Sequence, residues 1–323
     1  MEYKFVACLF NMELENQKNR GISIFPGGRI SNGQKMLKAI LDTQPMQDSL
    51  GFHSLHEFED TVYAYAEGVL EDIVTKEQMD EMGMSYTFYL LREFESFLEE
   101  MWKVKDNNVY IRDGFILASD DGFKTAWTYK ASLSTIYTAS SGRKGTTLFT
   151  DEEIKLAKGD FTVGSFEDWD EEDEGGKNVS SDVFFRGKGS NRMLRARYFT
   201  AVARGSATIP KKIVHYCNAL ECLFTTSKTE VVHNIAERVS FMLADDEESQ
   251  KELFRFIKKA YDHRSYVVHG QSLRGTEERL IQVSIRLDDI LRSLICSNDE
   301  VFKKVDKEMD SYFNDLVSTK AYN

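Results

Sequence analysis

At 323 residues, with 41% apolar side chains and only 3 prolines, the chain is long enough for about two domains and apolar enough to give each a core, which excludes disorder over most of its length. The 41 Lys and Arg against 53 Asp and Glu give a net charge of −12, which excludes a protein that coats nucleic acid by charge alone. The charge is unevenly divided: residues 191–323 hold 21 basic and 19 acidic side chains, net +2, leaving 20 basic against 34 acidic, net −14, for residues 1–190.

The first part reads as mixed α and β. Phe5 to Phe10 is apolar at every position, as in a strand covered on both faces, and it is too short for a secretory signal. Gly21 to Phe25 reads as a second strand closed by the turn Pro26-Gly27-Gly28. Tyr86, Leu90, Phe94, Phe97 and Met101 recur at helical spacing, so a helix is expected there. Val109 to Arg112 and Phe115 to Ala118 flank Asp113-Gly114, which predicts a hairpin with a two-residue turn.

A composition shift follows. Phe166 to Lys177 is an acidic run closing in two glycines, the pattern of a solvated linker. From Arg192 the periodicity is helical throughout. Ile213, Cys217, Leu220 and Phe224 form one stripe, and Ile235, Val239 and Met242 a second. Leu253, Ile257, Ala260 and Tyr261 form a third, Leu280, Val283, Leu287, Leu291 and Leu294 a fourth, and Phe302, Val305, Met309, Phe313 and Leu316 a fifth; an early helix spans Arg192 to Arg204. The expected fold is α+β: an N-terminal mixed α/β domain over residues 1–165, an acidic linker over 166–190, and an all-α bundle of about six helices over 191–323.

Two glycine or acid patterns carry no site. Ser141 to Thr147 lacks the order of a phosphate-binding loop, and Asp173 stands where a calcium loop requires glycine. Cys8, Cys217, Cys222 and Cys296 show no C-x-x-C spacing, and His215, His233 and His263 have no partners at ligand spacing. No metal, no cofactor and no disulfide scaffold are therefore expected, and a cytoplasmic location fits. No window reaches 18 apolar residues, so no membrane span or membrane partner is expected.

The informative segment is Tyr261-Asp262-His263-Arg264-Ser265-Tyr266-Val267-Val268-His269-Gly270. Arg264 continues the third stripe, four residues after Ala260 and seven after Ile257, which turns a strong cation toward the core side. His269 lies about 140° around an ideal helix from Arg264, so the two converge only if the helix breaks, as Gly270 permits, or if a second copy faces the first. The pair reads either as helix-end groups that cap carbonyls or bind acids, or as a phosphate site joining a planar donor fork to a group that titrates near neutrality. Glu221 and Arg238 flank apolar stripes and read as a buried ion pair, with each other or with Arg264; the alternative has Glu221 orienting Arg264 or His269 in the site. Tyr261 and Tyr266 are candidates for stacking on a base, or for core and interface packing.

The arrangement Arg264-Ser265-x3-His269 within a helical bundle resembles the R-x4-6-H motif of the HEPN superfamily. Arg195-Ala196-Arg197 with Ala203-Arg204, Tyr216-x3-Leu220-Glu221-x-Leu223-Phe224, Ala236-Glu237-Arg238-Val239 and Tyr261-x2-Arg264-Ser265-x2-Val268-His269-Gly270 are similar to the ApeA-like HEPN group in order and spacing, over roughly residues 192–275. Trp102 to Val109 resembles a segment upstream of that domain in longer members. The resemblance implies a metal-independent endoribonuclease of the defence or toxin kind, as in abortive antiviral infection. It implies RNA as partner, and a homodimer through the helical domain whose two motifs share one cleft. Arg264 and His269 would be catalytic and Ser265, Glu221 and Tyr261 supporting. The alternative is a non-catalytic module that dimerises or binds RNA, with the acidic N-terminal domain recognising a protein trigger.

Overall fold

The computed structural model describes residues 1–159, 161–164, 166, 185, 191–273 and 275–321, with the side chains of residues 53 and 317–321 excepted. Residues 167–177 of the acidic run, with Asp173 of the calcium-loop pattern, and residues 178–184 and 186–190 of the expected linker lie outside the described residues. The architecture is α+β, and the chain divides into two compact units: Met1–Tyr137 with Lys144–Asn178, and Thr138–Arg143 with Val179–Asn323.

The first unit is built on an antiparallel six-stranded sheet. The strands are β1 (Glu2–Phe10), β3 (Ile22–Phe25), β4 (Gly28–Ser31), β5 (Tyr63–Val69), β6 (Tyr110–Ser119) and β7 (Trp127–Ser132), in the order β3-β4-β5-β1-β6-β7. The unbroken apolar run of β1 is explained by two coverings. Phe5, Ala7 and Leu9 pack in one core with Leu90, Leu91, Phe94 and Phe97 of the long helix α3 (Lys76–Val104), while Val6 and Cys8 pack in another with residues of α1 (Gln34–Leu41) and α2 (Gln44–Glu57). Helix α3 starts at a capping box, in which the Thr75 hydroxyl accepts from the Gln78 amide and the Gln78 side chain accepts from the Thr75 amide.

The expected hairpin at Asp113-Gly114 is not formed. Both residues sit inside β6, where Gly114 pairs with Ala7 of β1 on one side and Ala131 of β7 on the other. The glycine serves close packing rather than a turn: a Cβ there would stand 2.7 Å from the Phe5 ring and 2.8 Å from Leu91 Cγ. Asp113 is held beside it by Arg112 Nε at 2.7 Å and Lys130 Nζ at 3.3 Å. The segment read as an imperfect phosphate loop ends in β8 (Thr147–Phe149), which pairs in parallel with β2 (Met12–Leu14) before α4 (Asp151–Gly159).

The second unit is helical, as the periodicity predicts: α5 (Arg192–Arg204), α6 (Ile209–Phe224), α7 (Val231–Leu243), α8 (Glu247–Val268), α9 (Glu277–Ser297) and α10 (Asp306–Ala321). Its core joins the predicted stripes, and α6 is the central helix, packed on α5, α7, α8 and α9. The fifth stripe is interrupted. Phe302 belongs to a short 3-10 turn, Glu300–Lys303, whose start is capped by Asp299; Lys304 is extended, and Val305 is 65% exposed ahead of α10. Residues 138–143 also belong to this unit, although the sequence reading placed all of 1–165 in the first domain.

Candidate active site

The last turn of α6 is where the cations gather. Its terminal carbonyls have no partners within the helix and need outside donors. Arg192 of α5 supplies one set, with Nη1 donating to the carbonyls of Cys222 (3.3 Å), Leu223 (3.3 Å) and Thr225 (2.8 Å) while Nη2 pairs with Asp306. Arg238 of α7 supplies another, donating to the Phe224 carbonyl at 2.8 Å and the Thr226 hydroxyl at 3.1 Å, and pairing with Asp310. The Arg238–Glu221 pair, one of the two partners the sequence offered, is therefore not formed. Asp310 takes that place from α10, 72 residues downstream of Arg238.

Glu221 pairs instead with Arg264 of α8, Nη2 to Oε1 at 3.5 Å. The Arg264 Nε is buried and has no hydrogen-bond partner among the described residues, and the Arg264 and Glu221 side chains remain 31% and 32% exposed. Arg264 thus lies on the core-facing side of α8, as its spacing predicts, but at the edge of the core, where α6 ends. Tyr261, one turn earlier, is 5% exposed, and its hydroxyl donates to the Cys217 carbonyl at 3.1 Å. Burial raises its pKa well above the ordinary tyrosine value, so it is a neutral donor that ties α8 to α6. Its ring is inaccessible to a nucleic-acid base, which leaves packing as its role. Burial also pushes the Cys222 thiol up to about 11, with Arg195 opposing the shift, so this cysteine carries no thiolate at neutral pH.

Helix α8 begins at Asp246, whose carboxylate accepts from the Glu248 and Ser249 amides at 2.9 Å. It stays helical to Val268 and stops in a Schellman arrangement. Gly270 adopts φ +65° and donates to the Val267 carbonyl at 3.2 Å, and Gln271 donates to the Tyr266 carbonyl at 2.8 Å. His269 is the C-cap, exposed, its amide donating to the Ser265 carbonyl at 3.0 Å. The break comes after His269, too late to turn its imidazole back toward Arg264. The structure therefore brings together Arg264, Glu221 and Tyr261, and leaves Ser265 and His269 exposed elsewhere on the end of α8.

Arg192 was not singled out by the sequence, since nothing local marks an arginine whose partners lie 30 to 114 residues away. His263 is the other unexpected residue: it is 8% exposed, and neither ring nitrogen has a hydrogen-bond partner among the described residues. Burial lowers its pKa below the usual 6.5, assisted by Lys259 and opposed by Asp262. A cleft of about 420 Å³ between α7 and the start of α8, lined by Glu237, Phe241, Lys251 and Phe254 among others, is not lined by Arg264, His269, Ser265, Glu221 or Tyr261. Among the described residues no group of three or more His, Cys, Asp or Glu side chains is placed to hold a metal ion, and no helix is long and apolar enough to cross a membrane. No family model, no curated protein and no solved structure matches the chain.

Proposed function

We propose that the chain is a metal-independent endoribonuclease of the defence or toxin kind, acting on RNA as a homodimer through its helical unit. The observation that carries this reading is the state of Arg264: a partly exposed guanidinium whose ion pair among the described residues is a 3.5 Å contact with Glu221, five residues before an exposed histidine. A planar cation with spare donors fits a phosphate. In the proposed reaction a ribose 2′-hydroxyl attacks its own 3′-phosphate, the 5′-oxygen leaves, and the products are a cyclic phosphate and a 5′-hydroxyl. His269 removes the 2′ proton or delivers one to the leaving oxygen. Arg264 stabilises the charge that develops on the phosphoryl oxygens. His269 caps the end of α8, about 140° around an ideal helix from Arg264, so in this reading the base, the acid and the phosphate clamp come from two copies facing each other.

The competing reading, a non-catalytic helical module joined to a protein-sensing first unit, is favoured by the charge division, since net −14 over residues 1–190 repels RNA. Incubation of the full chain with total RNA in EDTA separates the two. Cleavage that is lost in His269→Ala, with the fold retained by circular dichroism, is the expected outcome. Unchanged cleavage by folded His269→Ala refutes the assignment of that residue, and no cleavage by the wild type favours the module.

A further inference from the structure

The helical unit is completed by a piece of chain from the other half of the sequence. The chain leaves the sheet-bearing unit after Tyr137, which is buried and donates from its hydroxyl to Glu95 at 3.5 Å, and it returns at Lys144, with the Thr147 amide donating to the Asn11 carbonyl as β8 begins. Both feet of the intervening segment, Thr138–Arg143, are thus held in the first unit, and its middle is built into the second. Helix α5 ends at Arg204 with carbonyls that need donors. The Thr138 amide donates to the Arg204 carbonyl at 2.9 Å, and the Thr138 hydroxyl lies 3.2 Å from the carbonyls of Arg204 and Ser206.

Two fully buried side chains fasten the same segment from the helical side. Lys212, near the start of α6, donates to the carbonyls of Ala203 (3.0 Å), Arg204 (3.2 Å) and Thr138 (3.1 Å). Ser284 of α9 donates to the Ser140 carbonyl at 2.6 Å. A buried ammonium is stable only where oxygen acceptors replace its water, and Thr138 delivers one of these. Lys212 and Glu221 occupy the two ends of one helix, about 13 Å apart along a rigid rod. The helix that the strap holds at its start therefore carries, at its finish, the carboxylate that faces Arg264.

We propose that residues 138–143 are a control strap. While seated, the strap fixes the α5–α6 corner and α9, and through α6 the Glu221–Arg264 end. A change in the sheet-bearing unit that draws on either foot unseats the strap and loosens that end. The consequence for RNA rests on the proposed function, whereas the coupling along α6 does not.

The test is hydrogen exchange on the full chain carrying Ser284→Ala, a substitution that removes one strap anchor and touches no site residue. Loss of one buried hydrogen bond should raise exchange roughly two- to tenfold across 138–143. The proposal expects a parallel rise at 217–224 and 261–266, with 306–316 of α10 unchanged and RNA cleavage reduced. A rise confined to 138–143, a rise spread evenly over the helical unit, or no rise at all overturns it. Lys212→Met should give the same pattern more strongly; if that variant does not fold, Ser284→Ala decides alone. Failure of the proposed nuclease reading would show as absence of cleavage by the wild type, and the exchange pattern would still decide the coupling.

Discussion

Replacing Glu221 by Gln removes the counter-charge of Arg264 while preserving shape. The magnitude follows from the geometry. Unit charges 3.5 Å apart attract by about 5 kcal/mol at an effective dielectric constant of 20 and about 1 kcal/mol in bulk water. With about a third of each side chain exposed, desolvation and screening reduce the net value to about 1 kcal/mol or less. The helical unit should therefore melt only about 2 to 4 °C lower. RNA binding should tighten, because the phosphate no longer competes with a carboxylate for the guanidinium. The salt dependence should steepen by about 0.7 in the slope of log K against log salt, the value for one further phosphate neutralised on a single strand. Parallel melting and filter-binding titrations at several salt concentrations measure both. A loss of about 3 kcal/mol would show that Glu221 is a buried structural carboxylate, and an unchanged salt slope would show that no phosphate reaches Arg264.

Two further substitutions probe the fold. His263 is held neutral by burial and by Lys259, while the unfolded imidazole titrates near 6.5, so the unfolded state takes up the proton first and the folded protein loses stability as pH falls through that value. His263→Gln should remove this component: its stability relative to wild type should improve between about pH 7.5 and pH 5, measured by urea unfolding, and a pH-independent difference would mean that the folded imidazole protonates freely. Gly114→Ala places a methyl group 2.7 Å from the Phe5 ring and should cost about 1 to 3 kcal/mol in the same assay, whereas an unaffected midpoint would contradict the tight α3–sheet contact.

The helical half was legible because its signal is local. Each stripe is a 3.6-residue repeat that needs no knowledge of its partner, so α5 to α9 fall where the periodicity puts them. Asp113-Gly114 misled for a complementary reason. The dipeptide has the residues of a tight turn, but its conformation is decided by what lies on both sides: with β1 and β7 paired along it and Leu91 pressing on its face, the glycine is needed for its missing side chain. The strap was illegible for the same reason, since residues 138–143 have no periodicity and their partners, Lys212 and Ser284, are 74 and 144 residues away. The spacing of Arg264 gave its face of α8 correctly, but its degree of burial depends on where α6 stops, which only the assembled bundle fixes.

Arg192, Arg238 and Arg264 meet the last turn of α6, where Arg195 also lies beside the Cys222 thiol, and the differences among the first three locate the candidate chemistry. Arg192 and Arg238 are 11% and 10% exposed; each has a close carboxylate and donates to backbone carbonyls that would otherwise be unsatisfied. Removing either charge would leave a helix end and an acid without partners, so these two are committed to the fold. Among the described residues Arg264 donates to no carbonyl, its carboxylate partner Glu221 is 3.5 Å away, and it is about three times as exposed. An incoming phosphate competes with one weak ion pair at Arg264, but with several short hydrogen bonds at the other two. That difference in occupancy, more than the presence of an arginine in a motif, is the physical argument for placing the anion at Arg264. It also explains why the strap matters to the site: the guanidinium has little else to hold it in place, so its position follows the α6 terminus that carries Glu221.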